Sequence, residues 1–167
     1  MSEVNVIKDL ENKKLIIEFV ANRPKDTVWN AYADKGLFEK WWGPEGWETT
    51  VKEFNFVPGG RVHYGMKCID ERQSDWFGQT SWGLMEILDV QPTDSFTYMD
   101  YFSDESGVIN TEMPVLKITN EFIEEDGKTK IISTSFAESA EQIEQLIKMG
   151  MIEGFTSQLT KLDELFA

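Results

Sequence analysis

The sequence predicts an α+β fold: a curved, mostly antiparallel sheet of about seven strands around a long C-terminal helix, with two short helices after the first strand. Three observations predict it. From Trp47 to Phe136, apolar and polar residues alternate in six runs bounded by turn residues. From Glu138 to Phe166 the period becomes helical. Between Arg23 and Pro44, two short apolar stretches are closed by glycine and proline.

Taken in order, Val4 and Val6 leave open whether residues 1–12 add a short strand or fray. Lys14 to Asn22, rich in Ile, Phe and Val, reads as a strand. Arg23-Pro24-Lys25-Asp26 opens a helix, since proline suits the first turn and Asp26 the positive end of the helix dipole. Val28, Trp29, Tyr32 and Ala33 form its apolar face. Asp34-Lys35-Gly36 breaks it, and a shorter helix carries Leu37, Phe38, Trp41 and Trp42 until Gly43-Pro44 stops it.

Strands are expected at Thr49–Phe56, Arg61–Ile69, Thr80–Leu88, Phe96–Phe102, Val115–Glu124 and Thr129–Phe136. The Asp126-Gly127 pair between two alternating runs is the strongest hairpin signal. Ser139, with Gln142 three residues on, is the expected cap of one continuous amphipathic helix from Glu138 to Phe166. Its apolar face holds Ile143, Leu146, Ile147, Met151, Phe155, Leu159, Leu162 and Phe166. Such a helix is the only element large enough to cover the sheet, and a bent sheet gripping it leaves a cavity unless side chains fill the space.

Composition narrows the function. The 167 residues suit one domain, 1–167, with a sizeable core. Thirty acidic residues against 16 basic ones give a net charge of −14, which argues against nucleic acids and anionic membrane surfaces. The acidity serves solubility first, with docking onto a basic partner as the sharper reading. A single cysteine, no signal-peptide-like start and no membrane-length apolar run make a cytoplasmic location the expectation.

Few residues suggest chemistry. His63 sits between Val62 and Tyr64 in an alternating strand, so it is expected on the outer face, as a surface or rim residue. Cys68 reads as a buried structural thiol. One His and one Cys cannot make a zinc set, so no metal site is expected, and without a phosphate-binding loop no cofactor is. No catalytic residue stands out. Trp41-Trp42-Gly43-Pro44 is read as a packing staple ahead of an exposed aromatic lip. Gly150 and Gly154 share a helix face and make room either for a ligand or for close packing on the sheet. The methionines 66, 85, 99, 149 and 151 suit core filling or an adaptable apolar lining.

Several of these residues resemble a known family. Phe19-Val20-Ala21-Asn22-Arg23-Pro24, Val28-Trp29-Asn30-Ala31 and Lys40-Trp41-Trp42-Gly43-Pro44 look like the opening signature of the AHSA-like proteins. These are relatives of the heat-shock protein 90 ATPase activator within the START-like (SRPBCC, Bet v 1-like) superfamily. Pro58-Gly59-Gly60-Arg61 and the Gly83 to Pro92 stretch resemble later motifs of that family. Pro24, Trp29, Trp41, Trp42, Gly43 and Pro44 carry the signature. Gly154-Phe155 stands where relatives often have Gly-Trp, and Arg23 precedes a proline that usually follows alanine. The resemblance implies a helix-grip fold with a sheet–helix cavity and a link to the stress response.

The leading expectation is a non-enzymatic binding domain for an apolar small molecule or lipid-like ligand. Val62, Tyr64, Met66, Met85, Phe96, Tyr98, Ile147, Met151, Gly154 and Phe155 are its expected lining. Two other readings stay open. One is a regulator of the heat-shock protein 90 ATPase, implied by the family and marked by an exposed aromatic or acidic patch. The other is a cyclase- or dehydratase-type enzyme, marked by an ionisable cluster in the cavity. Either a monomer or a homodimer is expected; an exposed edge strand could pair in a dimer, but nothing in the sequence demands it.

Overall fold

The computed structural model of the protein describes residues 4–166, so the ends of the expected 1–167 domain lie outside it. Eight strands form one antiparallel sheet: β1 (Val4–Asp9), β2 (Lys14–Ala21), β3 (Trp47–Phe54), β4 (Arg61–Cys68), β5 (Thr80–Gln91), β6 (Ser95–Ser103), β7 (Leu116–Glu125) and β8 (Lys128–Phe136). Their spatial order is β1-β2-β8-β7-β6-β5-β4-β3. Strands β3 to β8 run as a meander, and the β1–β2 hairpin adds to it through β2 and β8. The N-terminal segment is therefore a strand, with Val4 and Val6 opposite Phe19 and Ile17. The Asp126-Gly127 turn forms as expected, both residues at positive φ (53° and 75°).

Helix α1 (Lys25–Ala33) and helix α2 (Lys35–Trp41) follow β2. Pro24 is the cap just before α1, one position earlier than a first-turn proline. Asp34 ends α1 and starts α2, its side chain accepting from the Leu37 N–H at 3.0 Å. Trp29 and Tyr32 of α1 plug one end of the concave face. Trp29 meets Phe56, Phe96 and Phe122 edge-on at 5.7–6.0 Å between ring centroids. Each such pair is worth about 0.5–1.5 kcal/mol beyond simple burial.

The C-terminal segment corrects one expectation. It is two helices, α3 (Ala140–Lys148) and α4 (Met151–Leu165), not one. The chain turns at Gly150, whose φ of 93° lies in the left-handed region that glycine enters without steric cost. Gly150 is thus a corner and not a helix-interior residue, and its apolar neighbours kept the same spacing on both sides, which hid the break. Ser139 caps α3 as expected, accepting from the Gln142 N–H at 3.2 Å. The Gln142 side chain in turn accepts from the Glu138 N–H.

Candidate ligand-binding cavity

Strand parity fixes which side chains face the helices. Cross-strand partners place Val62, Tyr64 and Met66 of β4 beside Met85, Gly83 and Ser81 of β5. Met85 and Gly83 pair in turn with Asp100 and Phe102 of β6. Phe96 and Tyr98 continue the same face. All six expected lining residues on the strands therefore lie on the concave side.

They do not share one environment. Phe96 is packed in the aromatic plug with Trp29, Tyr32 and Phe56. Val62 and Met85 are buried in the core. Tyr98 borders only a separate gap of about 10 Å³, with Asn120, Ser133 and Gln158. Beyond the plug the face stays unfilled. A cavity of about 290 Å³, partly open to solvent, lies between the sheet and the α3–α4 corner. Of the expected lining, Tyr64, Met66, Met151, Gly154 and Phe155 border it. Val62, Met85, Phe96, Tyr98 and Ile147 do not. Ile147 packs against the core from α3, because the turn at Gly150 swings that helix to a new direction.

Two glycines keep the space shaped. A Cβ on Gly83 would come within 2.5 Å of the Tyr64 ring and hydroxyl, so the glycine lets the ring lie across β5. A Cβ on Gly154 would meet nothing within 4 Å, so any side chain there would enter open space.

The Trp-Trp-Gly-Pro segment builds the rim. Trp41 and Trp42 are buried, which rules out an exposed aromatic lip. The Trp41 indole N–H donates to the Ala31 carbonyl at 2.8 Å. The Trp42 carbonyl accepts from the Thr49 hydroxyl. Gly43, at φ 96°, ties the segment to α4. Its N–H donates to Gln158 Oε1 at 2.8 Å and its carbonyl accepts from Lys161 Nζ at 3.1 Å. Trp42 and Pro44 then reach the cavity wall.

The polar group that sequence reasoning missed is Asp100. It lines the cavity, and burial pushes its carboxyl up to about 7. Burial raises the Tyr64 and Tyr98 hydroxyls as well, and the charge of Asp100 adds to both shifts. The signal was present: Asp100 follows Phe96 and Tyr98 at the inward positions of one alternating strand.

His63 also needs correction. It lies on the convex face, away from the cavity, as parity predicts. Yet it is buried, because the loop after β6 folds over it. Its Nε2 lies 3.0 Å from the Asp104 carbonyl, an acceptor, so that nitrogen carries the proton. The Trp82 ring covers it at 5.4 Å between centroids. Cys68 is a buried free thiol on the same strand. Among the described residues, no group of three or more His, Cys, Asp or Glu could hold a metal ion. No described helix is long and apolar enough to cross a membrane.

Comparison with known proteins follows the same lines. Residues 22–167 match the family model of the Activator of Hsp90 ATPase homolog 1-like proteins. The crystal structure of protein Ms6760 from Mycobacterium smegmatis is 35% identical. It superposes with a TM-score of 0.87, covering 99% of this chain and 98% of that one. A solution structure from Staphylococcus epidermidis is 31% identical with a TM-score of 0.81, covering 96% and 92%. The AHSA1 protein of Silicibacter pomeroyi, 19% identical with a TM-score of 0.69 over 90% and 95%, shares the fold. No curated protein matches the chain.

Proposed function

The chain belongs to the Activator of Hsp90 ATPase homolog 1-like family, and from that premise and the cavity we propose that it binds an apolar small molecule between its sheet and α4. The carrying observation is the unfilled space itself. Aromatic side chains fill one end of the concave face, while Gly83 and Gly154 keep the other end open. A void lined by Trp42, Phe102, Leu116 and Phe155 would collapse or be filled if stability were its only purpose, since empty volume is destabilising. Apolar walls with a few polar groups are what small-molecule sites need. Burial would contribute about 25 cal/mol per Å² of apolar area before binding costs.

Native mass spectrometry of protein purified from its own host, followed by extraction, tests this. A reproducible apolar adduct, lost in Gly154→Leu, is the expected result. Empty protein that also takes up no neutral apolar dye would contradict the proposal.

One observation favours a second reading, partner binding of the co-chaperone kind. The loop between β4 and β5 exposes Trp76 by 56% and Phe77 by 50%, with Ile69 also exposed. Large aromatics are enriched at protein interfaces. If this loop docks on a chaperone, Trp76→Ala should abolish any stimulation of the chaperone's ATPase, while Gly154→Leu should not affect it.

A further inference from the structure

The chemistry of the cavity wall says which apolar molecule fits. We propose, resting on the cavity-binding reading, that the ligand is an apolar amine, bound as its ammonium cation against the Asp100 carboxylate.

Three observations converge. First, among the described residues no Lys, Arg or His lines the cavity, and Asp100 is the one acidic residue that does. Lys161, which ties the rim to α4, donates to the Gly43 carbonyl. A fatty-acid-like carboxylate would therefore meet a like charge and no counterion. Second, among the described residues no side chain or backbone N–H donates to Asp100, and burial alone accounts for its raised pKa. Elsewhere in the protein acidic side chains take donors: Asp70 accepts from Arg72, Glu18 from Asn5, Asp104 from the Ser106 and Val108 N–H groups. A neutral apolar ligand seated over Asp100 would bury a carboxyl without a partner, which is costly, whereas an ammonium would supply the missing donors. Third, aromatic groups share the cavity with the carboxyl. Trp42, Tyr64 and Phe102 line the same cavity, and such rings hold cations on their faces. The net charge of −14 draws cations toward the molecule as a whole.

The pH behaviour follows from the groups that face Asp100. Tyr64 from β4 and Tyr98 from β6 are the titratable ones on that face, and α3 and α4 contribute no charged side chain to the cavity. The tyrosines stay neutral through the useful range, so Asp100 alone sets the charge of the site between pH 5.5 and 9.

The experiment titrates the full chain with n-octylamine, n-octanol and octanoate, by calorimetry, at pH 5.5 and pH 8.5. At pH 8.5 octylamine should bind at least tenfold tighter than octanol, and octanoate weakest. The amine preference should shrink at least threefold at pH 5.5, where Asp100 is protonated and the amine is not changed. Asp100→Asn should remove the preference, so that octylamine binds that variant no more tightly than octanol does. Octanol equal to octylamine, octanoate binding best, or a preference that survives Asp100→Asn would overturn the assignment. If that variant does not fold, the wild-type comparison decides: an amine-to-alcohol ratio unchanged between the two pH values overturns it. Octanol binding without amine preference defeats this inference alone. No binding of any of the three, or of a neutral dye, defeats the cavity reading as well.

Discussion

The Tyr64 ring lies over Gly83 on the neighbouring strand, so close that a Cβ at position 83 would sit 2.5 Å from the tyrosine hydroxyl. This pairing sets the floor of the cavity. Gly83→Ala must push the Tyr64 ring off its seat and into the free volume. Overpacking of this kind costs about 1–3 kcal/mol. Urea denaturation should show that loss, together with weaker uptake of an apolar dye.

The α3–α4 corner depends on one backbone conformation. Gly150 has φ 93°, and an added Cβ would meet nothing closer than Glu153 Oε2 at 3.9 Å. Space is therefore not the obstacle. Gly150→Ala should cost about 1 kcal/mol, through backbone strain alone. If the same change left the stability untouched, α3 and α4 would have to be able to join into one straight helix.

Asp100 gives stability a pH dependence of known sign. Burial raises its carboxyl in the folded protein from the ordinary aspartate range to about 7. Folding thus favours the protonated form. The contribution is fully present below about pH 4 and is lost as pH rises through 7. Asp100→Asn should remove that loss and stabilise the protein at pH 8.5 by on the order of 2–4 kcal/mol, with little change at pH 4. Chemical denaturation at both pH values checks it.

Much of this was legible in the sequence. Alternation located the six meander strands to within a few residues, and Asp126-Gly127 fixed a hairpin. Parity put Tyr64 and Met66 on the inner face and His63 on the other. Three things were not legible. Parity cannot say which stretch of an inner face is filled, and that depended on Trp29 and Tyr32 reaching across from α1. Helical periodicity ran unbroken through Gly150, because a single left-handed residue redirects a chain without changing the spacing of its apolar neighbours. The loop over His63 is a non-local contact, held by the Asp104 carbonyl 41 residues away, and no local pattern announces it.

Gln158 is a polar residue buried in α4 because it holds the rim. Its Oε1 accepts from the Gly43 N–H at 2.8 Å. Gln158→Leu leaves that N–H without a partner and should cost about 1–3 kcal/mol. A loss well below 0.5 kcal/mol would mean that the Lys161–Gly43 and Glu45–Ser157 bonds suffice to tie the rim to the helix.

Binding and stability can be separated at one position. Gly154 borders the cavity, and a Cβ there would meet no heavy atom within 4 Å. Leucine is also the better helix former, by about 1 kcal/mol. Fluorescence titration of wild type and Gly154→Leu with neutral N-phenylnaphthylamine, alongside their unfolding curves, reads both effects. Saturable dye binding in the wild type, lost in a variant at least as stable, is the predicted result. Equal dye binding by the two proteins would show that the cavity beside Asp100 and Tyr64 is not where apolar molecules go.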